Sequence, residues 1–184
     1  MGLEQYRFSV GRDSALARSR IALLGLWTGA MLAFGALFVP AAFSHLPTQL
    51  AASVLGEGFS GLDHAGIALG SICAAIGFVG WRSPGGGGAA GLLRALLPLA
   101  GVLAHLVSAL VVSPEIHALR VAAGGGIGGL PAGDPELAAF ATLHTASRSL
   151  FGTAAGTAAL ACLWDLFQAA PKAAPGASPD AKTS

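Results

Sequence analysis

The chain is short of charge. Only 10% of its 184 residues are Asp, Glu, Lys or Arg, against about 25% in an ordinary soluble domain. Neither sign dominates, since the formal net charge is +1. No basic stripe interleaves with aromatics, which excludes nucleic acid as a partner. Cysteine is nearly missing. Two residues, Cys73 and Cys162, cannot build a disulfide framework. They sit in different apolar runs without a CxxC partner and read as small buried packing residues. Disorder is excluded by the opposite excess: 54% of residues are hydrophobic and the mean hydropathy is +0.69. No run alternates with period 2, so a β-barrel is not expected.

What the chain has instead is four long apolar runs. They cover about residues 21–43, 61–81, 92–113 and 149–167. Each is close to the ~20 residues that cross a ~30 Å hydrocarbon core as a helix. The first run is longer than the apolar stretch of a signal peptide and ends in Phe43-Ser44-His45, not a small-x-small cleavage site. It is read as a retained span. The expected fold is all-α: an integral membrane four-helix bundle. Residues 1–20 form a cytoplasmic N-terminal segment, 21–168 the membrane domain and 169–184 a disordered cytoplasmic tail. Arg7, Arg12, Arg18, Arg20, Arg82, Arg94, Lys172 and Lys182 fall on one side of four spans, and only Arg120 and Arg148 on the other. The positive-inside rule then places both termini in the cytoplasm of a multi-pass cell-membrane protein.

Between the spans, Leu50, Val54 (or Leu55) and Phe59 recur at helical spacing, which predicts a short interfacial helix over 47–60. Asp134-Pro135-Glu136 reads as a helix start, with Asp at the N-cap, Pro at the first helical position and Glu at the positive dipole end. A helix from Pro135 to Gln168 would be about 50 Å long, so its first turns should protrude on the outer side. The run Gly85-Gly86-Gly87-Gly88 is read as a flexible loop. Gly124 to Gly129 formally fits GxGxxG, but no βαβ unit surrounds it. Gly25/Gly29, Gly66/Gly70 and Gly152/Gly156 are small-xxx-small pairs suited to helix packing or to homodimerisation. No internal repeat is evident. Pro40 and Pro114 should loosen helix ends near the outer boundary.

The five histidines lie at or near one rim. His45, His64, His117 and His144 flank the spans at their outer ends, and His105 is the one inside a span. Asp63 lies on the Gly66/Gly70 face. His105, Ser108 and Glu115 lie near one stripe, if the helix continues past Pro114. His144, Arg148, Gly152 and Gly156 are successive i+4 steps and are expected to continue a tightly packed face. Imidazole and carboxylate suit Zn, Cu, Fe or Ni, and an ionisable group inside a span is a functional candidate by default. His105, His117, His144, His64, Asp63 and Glu115 are therefore the candidate metal ligands. Arg148 and Arg120 are accompanying rim cations. The bland alternatives stay open: solvated helix ends for the outer histidines, and for His105 a neutral ring hydrogen-bonded across the bundle to Ser108 or a carbonyl.

Several stretches carry a resemblance. They are Leu26-Trp27-Thr28-Gly29, Pro40-Ala41-Ala42-Phe43 with Leu46-Pro47, Leu55-Gly56-Glu57-Gly58-Phe59, Pro114-Glu115-Ile116 with Leu119-Arg120, and Phe140-x-x-Leu143-His144-x-x-Ser147. Over about residues 23–166 the chain resembles the transmembrane protein 205-like family, a four-span domain of unassigned activity. The resemblance implies that Pro40, Phe43, Pro47, Phe59, Pro114, Phe140, His144 and Ser147 matter at the outer mouth. Thr48-Gln49 stand where that family usually has a basic residue, and Ala52 where it often has Gly, which weakens any implied headgroup contact there.

Three functions compete. One is a non-enzymatic protein that binds or passes a divalent metal or small solute at the outer mouth. Another is a structural or accessory subunit of a membrane complex or homodimer. The third is a haem- or quinol-linked redox protein, disfavoured because His105 has no second histidine at its depth. No nucleophile motif points to an enzyme. The lipid bilayer is the expected partner in each case.

Overall fold

The computed structural model describes residues 3–83, 87–124 and 127–169. The tail from Pro171 to Ser184, residues 84–86 of the glycine run and residues 125–126 of the GxGxxG match lie outside the described residues. Among the described residues there are four long helices hydrophobic enough to cross a membrane. Helix α1 spans residues 3–45, α2 is Thr48–Arg82, α3 is Ala89–Ala122 and α4 is Pro135–Ala169. Among the described residues between α3 and α4, Ile127–Gly129 form a 3-10 turn. In the ring α1–α2–α3–α4, each helix packs on its two neighbours, and α2 with α3 forms the most extensive pair. Helices α1 and α3 therefore lie diagonally and meet through side chains at the axis.

The core stripe of α1 is Arg20, Leu24, Trp27 and Met31, and that of α4 is Ala154, Ala158, Ala161 and Asp165. Both follow i, i+4, i+7, i+11, the spacing of one helix face. Large apolar side chains such as Leu26, Leu37, Leu110 and Phe167 point away from the bundle and are more than half exposed. In a hydrocarbon solvent that is the favourable arrangement, because lipid is as apolar as the side chain. The protein is thus a multi-pass membrane protein with a lipid-facing surface.

Neither proline ends its helix. A π-helical turn, Phe34–Phe38, precedes Pro40, and another, Ser108–Val112, precedes Pro114. In each the bond closes over five residues, Val39 N–H to the Phe34 carbonyl and Ser113 N–H to the Ser108 carbonyl. The wider turn gives the pyrrolidine ring room against the carbonyl four residues back, with which it would otherwise collide. The two devices are equivalent. Arg20 and Arg94 are 74 residues apart, and the same spacing relates the two π turns, the two prolines, and Trp27 to Gly101. A structural correspondence between α1 and α3 thus exists where the sequence shows no repeat. Residue types at matching positions differ too much for it to be read: Trp against Gly, Phe against Ser.

The segment 48–60 is helical but is no separate interfacial helix. It forms the first turns of α2. The reason is the tight connection at Leu46-Pro47. Leu46 is extended (φ −115°, ψ 149°), as a residue before proline prefers, and Ala51 N–H bonds the Pro47 carbonyl at 2.9 Å. The chain reverses at once and lays α2 on the end of α1. Ala42, Ala51 and Leu55 are buried there with Phe34 and Phe59 against them. The α4 start follows expectation: Glu136 N–H donates to Asp134 Oδ1 at 2.8 Å, a side-chain N-cap.

Candidate functional site

Two buried polar networks hold the helices together. The end where α1 begins and α4 finishes is called proximal here, and the opposite end distal. The distal-side network joins three helices. Trp27 of α1 donates its indole N–H to His105 Nε2 of α3 at 3.2 Å. His105 Nδ1 lies 2.8 Å from Asp63 Oδ1 of α2, and Ser108 Oγ donates to Asp63 Oδ2 at 2.8 Å. His105 and Asp63 are buried. The indole is donor only, so Nε2 must accept. The proton of a neutral imidazole then sits on Nδ1 and points at the carboxylate. Both ring nitrogens and both carboxylate oxygens are spent.

Two glycines on α2 make room for this network. A methyl at Gly66 would overlap the His105 ring. One at Gly70 would sit 2.6 Å from Val102 Cγ2 and 2.8 Å from Trp27 Cη2. Such close approach requires the missing Cβ. Asp63 does lie on the Gly66/Gly70 face, as its spacing predicts, but His105 bonds Trp27 and Asp63 and neither Ser108 nor a carbonyl; Ser108 meets the same carboxylate.

The proximal network joins all four helices. Arg20, fully buried, donates Nε to the Cys73 carbonyl of α2 at 3.0 Å. It also bonds Asp165 Oδ2 of α4 and the Arg94 carbonyl of α3. Arg94 Nε donates to Asp165 Oδ1 at 2.9 Å. Two guanidinium groups therefore share one carboxylate. The sequence does not reveal this cluster, because Arg20 and Arg94 stand at the borders of apolar runs and read as basic flanks of the spans. The available signal was the core stripe of each helix: Arg20 continues Leu24/Trp27/Met31 and Asp165 continues Ala154/Ala158/Ala161.

The distal rim departs from expectation. His64, His117, His144, Glu115 and Arg148 are exposed. Among the described residues no group of three or more His, Cys, Asp or Glu is placed to hold a metal ion. Glu115 leaves the His105/Ser108 stripe because the intervening π turn inserts a residue and rotates the face. The His144/Arg148/Gly152/Gly156 face is not packed: all four residues are exposed, and Gly152 and Gly156 have open space where a Cβ would be. Gly25 and Gly29 are likewise open. His144 stacks on Phe140 (centroids 5.8 Å apart), and His64 bonds the Ser60 carbonyl of its own helix at 2.7 Å. Arg120 is half-buried, donates to the Ala52 carbonyl at 3.2 Å and lies over Phe140. Ser147 is partly buried, and Pro40 and Phe43 are exposed. An open apolar groove of about 520 Å³ runs beside the first π turn, lined by α1 residues including Ala30, Phe34 and Phe38, with Leu62 of α2.

These features define a class: a multi-pass helical membrane protein whose bundle is pinned by internal polar contacts. Residues 22–124 match a domain of unknown function, DUF4149. That is more than half of the chain, and the protein belongs to this family. No curated protein and no solved structure matches it.

Proposed function

We propose that this protein is a non-catalytic membrane subunit, a rigid four-span bundle that docks against a helical partner or a second copy of itself. One observation carries the reading. Among the described residues the buried Arg, Asp and His side chains, Arg20, Asp63, His105 and Asp165, each bond other helices of the same bundle. Their chemistry is spent on holding helices in register. Meanwhile the pairs Gly25/Gly29 and Gly152/Gly156 remain open on the lipid-facing side, where small residues admit a neighbouring backbone. The likeness to the transmembrane protein 205-like family supports the same architecture. The basic residues at the proximal end support an orientation with both termini in the cytoplasm.

A metal at the distal mouth finds less support. His105 offers no free lone pair, and Glu115, His64, His117 and His144 stand outside its network. The same engagement of both ring nitrogens argues against axial haem ligation by His105. Extraction in mild detergent followed by native mass measurement tests the docking reading. A dimer or a stoichiometric partner is expected. A strictly monomeric particle, unchanged by crosslinking in intact membranes, sinks it.

A further inference from the structure

The proximal network has a surplus of positive charge and unspent donors beside it. Arg20 uses all three of its nitrogens on protein oxygens, and Asp165 has both oxygens taken. Arg94 differs. Its Nε is bound to Asp165, but its side chain is 31% exposed, and its two terminal amino groups make no hydrogen bond to the described residues. Among the side chains described at this end, Asp165 is the one carboxylate. A second unspent donor lies close by in register. The Trp164 indole N–H is enclosed and has no acceptor. Thr157, two turns earlier on α4, stands against Gly101 of α3, where a Cβ would meet Thr157 Oγ1 at 2.9 Å. Trp164 shares that flank of α4, so it faces α3 at the depth of Arg94 and Asp165.

We propose that the α3–α4 groove at the proximal end binds the phosphate of a phospholipid whose headgroup is net anionic. The fork of Arg94 meets a phosphate oxygen pair, as planar guanidinium does best. Trp164 donates to the same group once its indole edge swings clear. The anion balances the second guanidinium, whose charge is otherwise expensive near a hydrocarbon core. Arg94 lies in the second turn of a helix that starts at Ala89, close to the end of the span, from which a guanidinium extends toward the headgroups. This site does not depend on the docking reading. A monomeric protein with strong headgroup selectivity would refute docking and leave the lipid site standing.

The test uses the full chain purified in non-ionic detergent. Native mass spectrometry and thermal unfolding are followed while phosphatidylglycerol, phosphatidylcholine or inorganic phosphate is added. Phosphatidylglycerol is expected to bind about tenfold tighter than phosphatidylcholine, and Arg94→Gln to erase that preference, the scale of charge-assisted hydrogen bonds. Arg94→Lys keeps the charge without the fork and should retain part of it. Arg82→Gln, at an exposed arginine of the same end, should change it by less than about twofold. Equal binding of both lipids by the unaltered protein overturns the proposal, whether or not Arg94→Gln folds. An equal loss in Arg82→Gln overturns it too, by exposing a diffuse basic belt. Inorganic phosphate protecting as well as lipid would overturn the lipid assignment in favour of a soluble anion.

Discussion

The two buried networks are about 15 Å apart along the bundle, judged from the rise between Asp63 and Cys73, and they are built on different principles. The distal-side network uses a neutral ring between a donor and a carboxylate, so its members are fixed in orientation. The proximal one uses point charges of unequal number and leans on two backbone carbonyls. The first is closed, with its ring nitrogens and carboxylate oxygens matched. The second is open at Arg94. A polar interior in a membrane bundle therefore need not mark a site. What separates glue from a site is whether any donor is left over.

Substitutions that unbalance charge should separate the two most sharply. Asp165→Ala leaves Arg20 and Arg94 facing each other without a counter-ion. A loss of about 3–5 kcal/mol is expected, the usual result of removing one partner of a buried pair, measured by detergent-titrated unfolding. Removing the fully buried cation as well, with Arg20→Met and Asp165→Leu together, returns the cluster to its original net charge and should recover part of it. No gain over the single variant would show that the carbonyl contacts of Arg20 matter more than its charge.

Next in size is steric intrusion at the closed network. Gly66→Ala forces the His105 ring to move and should cost about 1–3 kcal/mol. Gly25→Ala, open in the structure, should fall within about 0.5 kcal/mol. Equal effects at the two glycines would contradict the packing described. A smaller change is expected from Trp27→Phe. It keeps the ring but removes the donor to Nε2, costing about 0.5–1.5 kcal/mol for the hydrogen bond. Nitrogen chemical shifts of His105 should then depart from the pure Nδ1–H tautomer. Unaltered shifts would mean that Asp63 alone selects the tautomer.

Smallest for stability, yet most telling for docking, are Gly29→Leu and Gly156→Leu. Folding should be nearly indifferent, because both positions are open. Association, if it uses these faces, should weaken in membrane crosslinking.

Much of the architecture was legible. Run length and charge asymmetry located four spans, and the Asp134-Pro135-Glu136 start of α4 was read from local capping chemistry. Asp63 and His105 were legible because a charged or titratable group on a glycine face of a span has few places to go. The rim was misread because topology brings helix ends together but says nothing of where exposed side chains point. Two structural features defeated pattern reading. A π turn shifts the helical register by one residue, so extrapolating from His105 to Glu115 fails. A charged residue at the border of an apolar run looks like a flank, so Arg20 and Arg94 read as interfacial, whereas Arg20 is fully buried and Arg94 is partly buried against Asp165.

Trp27 lies in a notch between Gly70 and Gly101, where an added Cβ would meet its Cη2 at 2.8 and 2.7 Å, and this has a consequence for biogenesis. Its walls, Gly70 and Gly101, belong to segments made later than α1, and the carboxylate for Arg20 is made last of all. Helix α1 must therefore wait in the bilayer, with a guanidinium unmet, until α4 has been made. Chains halted after α3 are expected to be degraded faster than the finished protein. Equal half-lives in a pulse-chase of the truncated and whole chains would show that α1 can settle without its final neighbour.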